Sequence, residues 1–146
     1  MKKILSAFIA CLALASCQTN EKKDSANNST TDTQKDCVEV ICFHNKQRCA
    51  TCIATEQNTK AAIDSVFAEQ LKTGEVVFRN IDISESENEE IANKYQVTWS
   101  SLYLVKHKDG KETTKNLTRF AFANARNAPD KFKSEVIKEV NKMLEE

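Results

Sequence analysis

Two cysteines in the stretch "NKQRCATCIATEQNTK", Cys49 and Cys52, are the residues of this chain best suited to do chemistry. A pair with two residues between is a redox couple, half of a metal site or a structural crosslink. In thiol chemistry the thiolate is the nucleophile, and an ordinary cysteine is mostly protonated at neutral pH. This pair follows a short apolar run and opens an expected helix. A helix N-terminus presents unpaired N–H groups and a partial positive charge, both of which favour an anion. Lys46 and Arg48 add charge from the preceding loop and are expected to tune the pair; such settings bring a cysteine pKa down to about 3.5–7.5. Cys49, at the helix entrance, is expected to attack, and Cys52, one turn inward, to resolve the mixed disulfide. A permanent crosslink fits less well, because a loop this short does little to constrain the unfolded chain.

The elements that must position the pair follow a regular order. "CVEVICFH" is β-branched and almost uniformly apolar around Glu39, the pattern of a buried central strand. A helix is expected from about Ala50 to Thr73, with Ile53, Ala62, Ile63, Val66, Phe67 and Leu71 on its apolar side and Gly74 ending it. "EVVFRNIDI" reads as a second strand. "SESENEEIANKYQV" reads as a second helix, with Ser84 and Glu87 spaced for a capping box. "SLYLVKH" and "KETTKNL" are two strands joined by a hairpin at Lys108-Asp109-Gly110. "TRFAFANARNA" fits either a loop or a short helix. A last helix starts near Pro129 and carries Phe132, Val136, Val140, Met143 and Leu144 on one stripe. The expected order is βαβαββα: an α/β domain with a mixed central sheet flanked by helices. Two glycines and one proline in 146 residues argue against a turn-rich all-β fold.

The N-terminus bears on compartment. Lys2 and Lys3 precede an apolar stretch from Ile4 to Ala15, twelve residues long, which is short of the roughly 20 that a membrane-spanning helix needs. Residues 1–16 read as a signal peptide. Leu14-Ala15-Ser16-Cys17 resembles the bacterial lipobox, which implies that Cys17 becomes the lipid-modified N-terminus and that Cys11 leaves with the peptide. Residues 17–36 hold no aromatic and no large aliphatic side chain, so they are expected to form a disordered tether. Its root-mean-square reach is roughly 25 Å. Residues 37–146 are one domain's worth of chain. The expected location is the bacterial cell envelope, periplasmic or surface side, lipid-anchored. Without Lys2 and Lys3 the chain keeps 19 basic against 21 acidic residues. That balance offers no footprint for nucleic acid and no basic membrane patch.

A Cys-x-x-Cys that follows a strand and opens a helix inside a βαβ unit resembles the thioredoxin fold, over nearly all of residues 37–146. The resemblance rests on "VEVICFHNKQRCATC", on the helix placement and on "YQVTWSSLYLV" before the hairpin. It implies a loop facing the cysteines just before the third strand, where that family usually has a cis-proline. Here the place reads Trp99-Ser100-Ser101, with Ser101 at the equivalent position. A cis bond before a non-proline residue costs about 2.5–4 kcal/mol, so a trans bond or a strained loop is expected. Trp99 is either a wall for an aromatic substrate or a packed core residue. Loss of the proline also removes bulk that would keep a metal from the thiols.

A narrower resemblance, carried by "FHNKQRCATC", by "DIS" before an acidic helix and by "KYQVTWSSL", is to the nitrophenyl compound nitroreductase subunit ArsF family of small thioredoxin-like proteins. It implies a part in reducing nitrophenyl compounds, aromatic arsenicals included, beside a membrane thiol-transporter-type reductase or a partner reductase subunit. No flavin or nicotinamide fingerprint and no phosphate loop is present, so no cofactor is expected beyond the dithiol. Cys37 and Cys42 stand outside the pair. Five positions apart on a strand they point to opposite faces about 16 Å apart, so no bond between them is expected. Cys-x4-Cys-x6-Cys-x2-Cys across a strand is poor zinc geometry, although trivalent arsenic needs only two or three thiolates. His44 reads as a loop residue and His107 as a hairpin-edge residue, neither at ligand spacing. Three functions stay open: a tethered dithiol relay, a thiol trap for a metalloid or soft metal, and an adaptor lipoprotein.

Overall fold

The computed structural model describes residues 36–146; the signal peptide, Cys17 and nearly all of the expected tether lie outside the described residues. Strand β1 (Cys37–His44) runs through the middle of a four-stranded sheet. It pairs in parallel with β2 (Val76–Asp82) and antiparallel with β3 (Ser101–Lys108), which pairs antiparallel with β4 (Lys111–Asn116), giving the order β2-β1-β3-β4. Because β1 is covered on both sides, both of its faces are apolar. Val38, Val40 and Cys42 point into one core with Ile63, Phe67, Phe132, Val136 and Val140, while Ile41 and Phe43 point into a second with Ile81, Tyr95, Val97 and Val105. The mixed sheet, the parallel β1–β2 crossover through a helix and the terminal hairpin make the fold α/β and thioredoxin-like.

The expected helix Ala50–Thr73 is two helices, α1 (Ala50–Val66) and α2 (Ala68–Thr73). The break falls at Phe67, whose backbone leaves the helical region (φ −109°, ψ 28°). Its ring turns into the core, and the hydrogen bonds Phe67 N–H to Ile63 O and Leu71 N–H to Phe67 O carry the chain across. Gly74, at φ 78°, closes α2 in the left-handed conformation that glycine adopts at little cost. The buried side of α1 is Thr55, Thr59, Ala62 and Ile63, whereas Ile53 and Val66, expected inside, are exposed.

The acidic segment forms a 3₁₀ turn (Ser86–Asn88) and then α3 (Glu89–Lys94). The Ser84–Glu87 capping box does not form. Asp82 is the nearer acceptor: its Oδ1 takes Ser84 N–H at 2.9 Å and Ser84 O–H at 2.6 Å. These bonds hold the Asp82 carboxyl below its ordinary range. The β3–β4 hairpin turns on Asp109 (φ 51°) and Gly110 (φ 70°), the two positive φ angles of a type I′ turn. Asp109 N–H donates to Asp36, the last residue of the expected tether. "TRFAFANARNA" resolves as α4 (Thr118–Asn124); Asn116 Oδ1 caps it by accepting Thr118 N–H at 2.9 Å, and the small Ala121 and Ala125 let it pack closely. Helix α5 (Pro129–Glu145) buries Phe132, Val136, Val140 and Met143, each contributing roughly 1.5–3 kcal/mol. Lys106 and Lys108 of β3 donate to Met143 O and Glu146 O, and so satisfy carbonyls at its C-terminus.

Candidate active site

Cys49 is the N-cap of α1. Its backbone is extended (φ −76°, ψ 161°), and Cys52 N–H donates to its sulfur at 3.1 Å. The two cysteines form a disulfide with Cα atoms 5.1 Å apart. Cys49 is exposed and Cys52 half-buried. With the bond open, Cys49 Sγ would keep the Cys52 N–H and the positive end of the helix dipole, both of which favour the thiolate.

The loop before β3 reaches Cys52 through its two serines. Ser100 and Ser101 are buried and share with Cys52 a cleft of about 10 Å³, room for roughly one water. All peptide bonds among the described residues are trans, and Ser101 O–H ties back to Trp99 O at 3.0 Å. Trp99 is not a core residue: it is 55% exposed, with its ring centroid 5.3 Å from that of Phe122 on α4. Phe122 also lines the cleft. Behind Cys52 the cleft is closed by Cys42, whose thiol burial pushes up to about 12 against the lowering effects of a hydrogen bond with Thr59 and the charge of Arg48.

Of the two expected tuning cations, Arg48 has a carboxylate partner. Arg48 forms an ion pair with Glu56, one turn beyond Cys52 on α1, and both side chains line the cleft. The charge of Lys46 acts on Asp82. Cys37 begins β1, at the far end of that strand, and no disulfide joins it to Cys42. Among the described residues no three His, Cys, Asp or Glu side chains stand together as a metal site. His44, at the end of β1, bonds Asn45 O. His107 corrects its expectation: rather than lying on the hairpin edge it is 8% exposed, because β3 is flanked by β1 and β4. Its ring stands 3.6 Å from Glu39 and 3.9 Å from Glu112.

No family model matches this chain, and no curated protein matches it. Among solved structures it is similar to chloroplastic thioredoxin z, with 13% identity over 78% of this chain and 84% of that one, at a TM-score of 0.49. It is similar to a malarial protein at 16% identity over 71% and 97%, TM-score 0.44. It is also similar to Fasciola hepatica thioredoxin at 28% identity over 71% and 81%, TM-score 0.38.

Three site residues escaped the sequence reading. Phe122 lay in the segment of undecided structure. Thr55 and Glu56 follow Cys52 at three and four positions, the spacing that shares a helix face, and that spacing was the available signal.

Proposed function

We propose that this protein is a thiol–disulfide oxidoreductase acting through Cys49-Ala50-Thr51-Cys52. The observation that carries this reading is a disulfide whose outer sulfur is exposed at the N-cap of a helix and hydrogen-bonded to its backbone. A partner thiolate attacks Cys49 Sγ, the Cys49–Cys52 bond breaks, and its electron pair leaves on Cys52. The partner's second thiolate then attacks the partner sulfur of the mixed disulfide and releases Cys49. Two electrons pass to the pair and one partner disulfide forms; the reverse sequence reduces a substrate.

In the finer reading the chain is anchored in the bacterial cell envelope by lipid on Cys17 and relays electrons in a nitrophenyl or aromatic arsenical reduction system. A membrane thiol-transporter-type reductase or a partner reductase subunit stands beside it. The "LASC" motif and the resemblance of "FHNKQRCATC" support this, and the exposed Trp99 beside Phe122 offers an aromatic surface near the disulfide.

The exchange reading is tested by titrating the full chain in dithiol redox buffers and assaying insulin-disulfide reduction. A reversible two-electron transition with turnover, lost in Cys49→Ser, is expected. A pair that stays reduced and binds arsenite stoichiometrically would instead mark a thiol trap. Fractionation tests the anchor: Cys17→Ser should move the protein from the membrane to the soluble fraction.

A further inference from the structure

Two hydrogen-bond donors at the site have nothing to donate to. Thr55 Oγ1 and Arg48 Nε are buried, without a hydrogen-bond partner, and their side chains line the same narrow cleft as Cys52. Thr55 stands out against its neighbour. A threonine inside a helix ordinarily returns its hydroxyl to the carbonyl four residues back, as Thr59 does to Thr55 O at 2.7 Å. Thr55 does not. Arg48 engages Glu56 through Nη2, and its buried Nε–H is left without a partner. A buried donor left unmade is unfavourable, so two of them in the cleft shared with the Cys52 side chain call for an account. In a disulfide that sulfur is a poor acceptor. As a thiolate it is an anion, and hydrogen bonds to charged acceptors are the stronger kind.

We infer that Arg48 and Thr55 form a thiolate cradle for Cys52, filled only when the disulfide opens. The inference rests on the exchange reading above and gives the cations of the loop a different target: Arg48 serves the leaving sulfur, not the attacking one. When a thiolate attacks Cys49 Sγ, the electron pair of the breaking bond goes to Cys52 Sγ, where Arg48 Nε–H and Thr55 O–H receive it. Glu56 is the positioning residue that holds the guanidinium in place. Two consequences follow. The dithiol state is stabilised relative to the disulfide, so the couple is drawn toward the oxidising side. Reduction is also fast, because a better-stabilised leaving thiolate departs faster.

The test uses the full chain and three measurements: the equilibrium with glutathione, the rate of reduction by dithiothreitol, and thermal stability in both redox states. Thr55→Val keeps the shape and removes the hydroxyl. Arg48→Lys keeps a cation for Glu56 and removes the Nε–H. Each should shift the equilibrium about tenfold toward the disulfide, about 30 mV in potential, and slow reduction. Thr55→Val should lower the melting temperature of the reduced form while raising or sparing that of the oxidised form. Alkylation of Cys49 should keep its pH profile. Equal stability shifts in both states with an unchanged equilibrium would mean that Thr55 and Arg48 only pack, and the cradle would be refuted. A wild-type pair that does not cycle at all would overturn the exchange reading, and the cradle with it.

Discussion

Trp99 lies against Phe122, ring centroids 5.3 Å apart and planes at 52°, and Phe122 in turn lines the cleft that reaches Cys52. The contact joins the loop before β3 to α4 and sets an aromatic pair beside the disulfide.

A mostly exposed indole does little for stability; in the proposed function it serves contact with a partner or substrate. Trp99→Ala should change stability by less than about 0.5 kcal/mol, the usual range for a surface substitution. In the proposed function it should slow exchange with the native partner at least tenfold and leave insulin reduction within about twofold, the first being a loss of about 1.4 kcal/mol in transition-state binding. Phe122→Ala should act in the same direction, since it removes the support of the indole. Equal losses with both substrates would show that the pair only shapes the disulfide.

Cys49 and Cys42 should differ in reactivity by far more than their spacing in sequence implies. Cys42 is buried against Thr59 in the core, and burial pushes its thiol up to about 12. In the reduced protein, alkylation at pH 6–7 should mark Cys49 far ahead of Cys42. Cys42 should react only after unfolding, so its labelling in denaturant should track the loss of structure. Comparable rates at the two positions in the folded state would contradict both assignments.

The strands and the hairpin were legible because their signals are local. The run from Cys37 to His44 is apolar on both faces, which only a central strand requires, and Asp109-Gly110 is chemistry for two positive φ angles. The pair's place at the head of α1 was legible for the same reason. The break at Phe67 was not. Helix propensity continues unbroken from Val66 into Ala68, and what bends the chain is the demand of a distant core for the Phe67 ring. His107 misled in a related way. Its neighbours in sequence are lysines, but its neighbours in space are Glu39 and Glu112 on strands β1 and β4. Ile53 looked like core by its type and spacing, yet lies exposed immediately after Cys52. Thr55 is the least legible of all: its spacing after Cys52 places it on the same helix face, but its missing hydrogen bond is seen only in the structure.

Ser101→Pro bears on the loop. Ser101 is buried at the start of β3 opposite Phe43, and its hydroxyl holds Trp99 O. A proline there removes that tie and supplies the residue that the resemblance to the thioredoxin fold implies at this place. In the proposed function, insulin reduction should rise several-fold, arsenite binding by the reduced pair should weaken, and exchange with the native partner should fall. If activity and arsenite binding both stay unchanged, specificity lies outside the loop.

The pH dependence of stability should carry the mark of Glu139. This carboxylate on α5 is 9% exposed and accepts a hydrogen bond from Lys115 of β4. That bond, above all, lowers its pKa from the ordinary 4.5. A group depressed in the folded state stabilises the fold above its unfolded pKa, and the contribution drains away as pH falls through the folded value. Wild-type stability should therefore decline below about pH 4.5, part of that slope belonging to this pair. Lys115 is itself more than a third exposed, so its charge alone contributes little. The cost of Lys115→Met comes from leaving a buried carboxylate without its donor, about 1–3 kcal/mol near neutral pH. The same variant should lose less as acid protonates Glu139, because the neutral carboxyl needs the lysine less. The measurement is urea unfolding of both proteins at pH 7 and pH 3, and a gap between them that does not narrow with acid would remove Glu139 as the titrating partner.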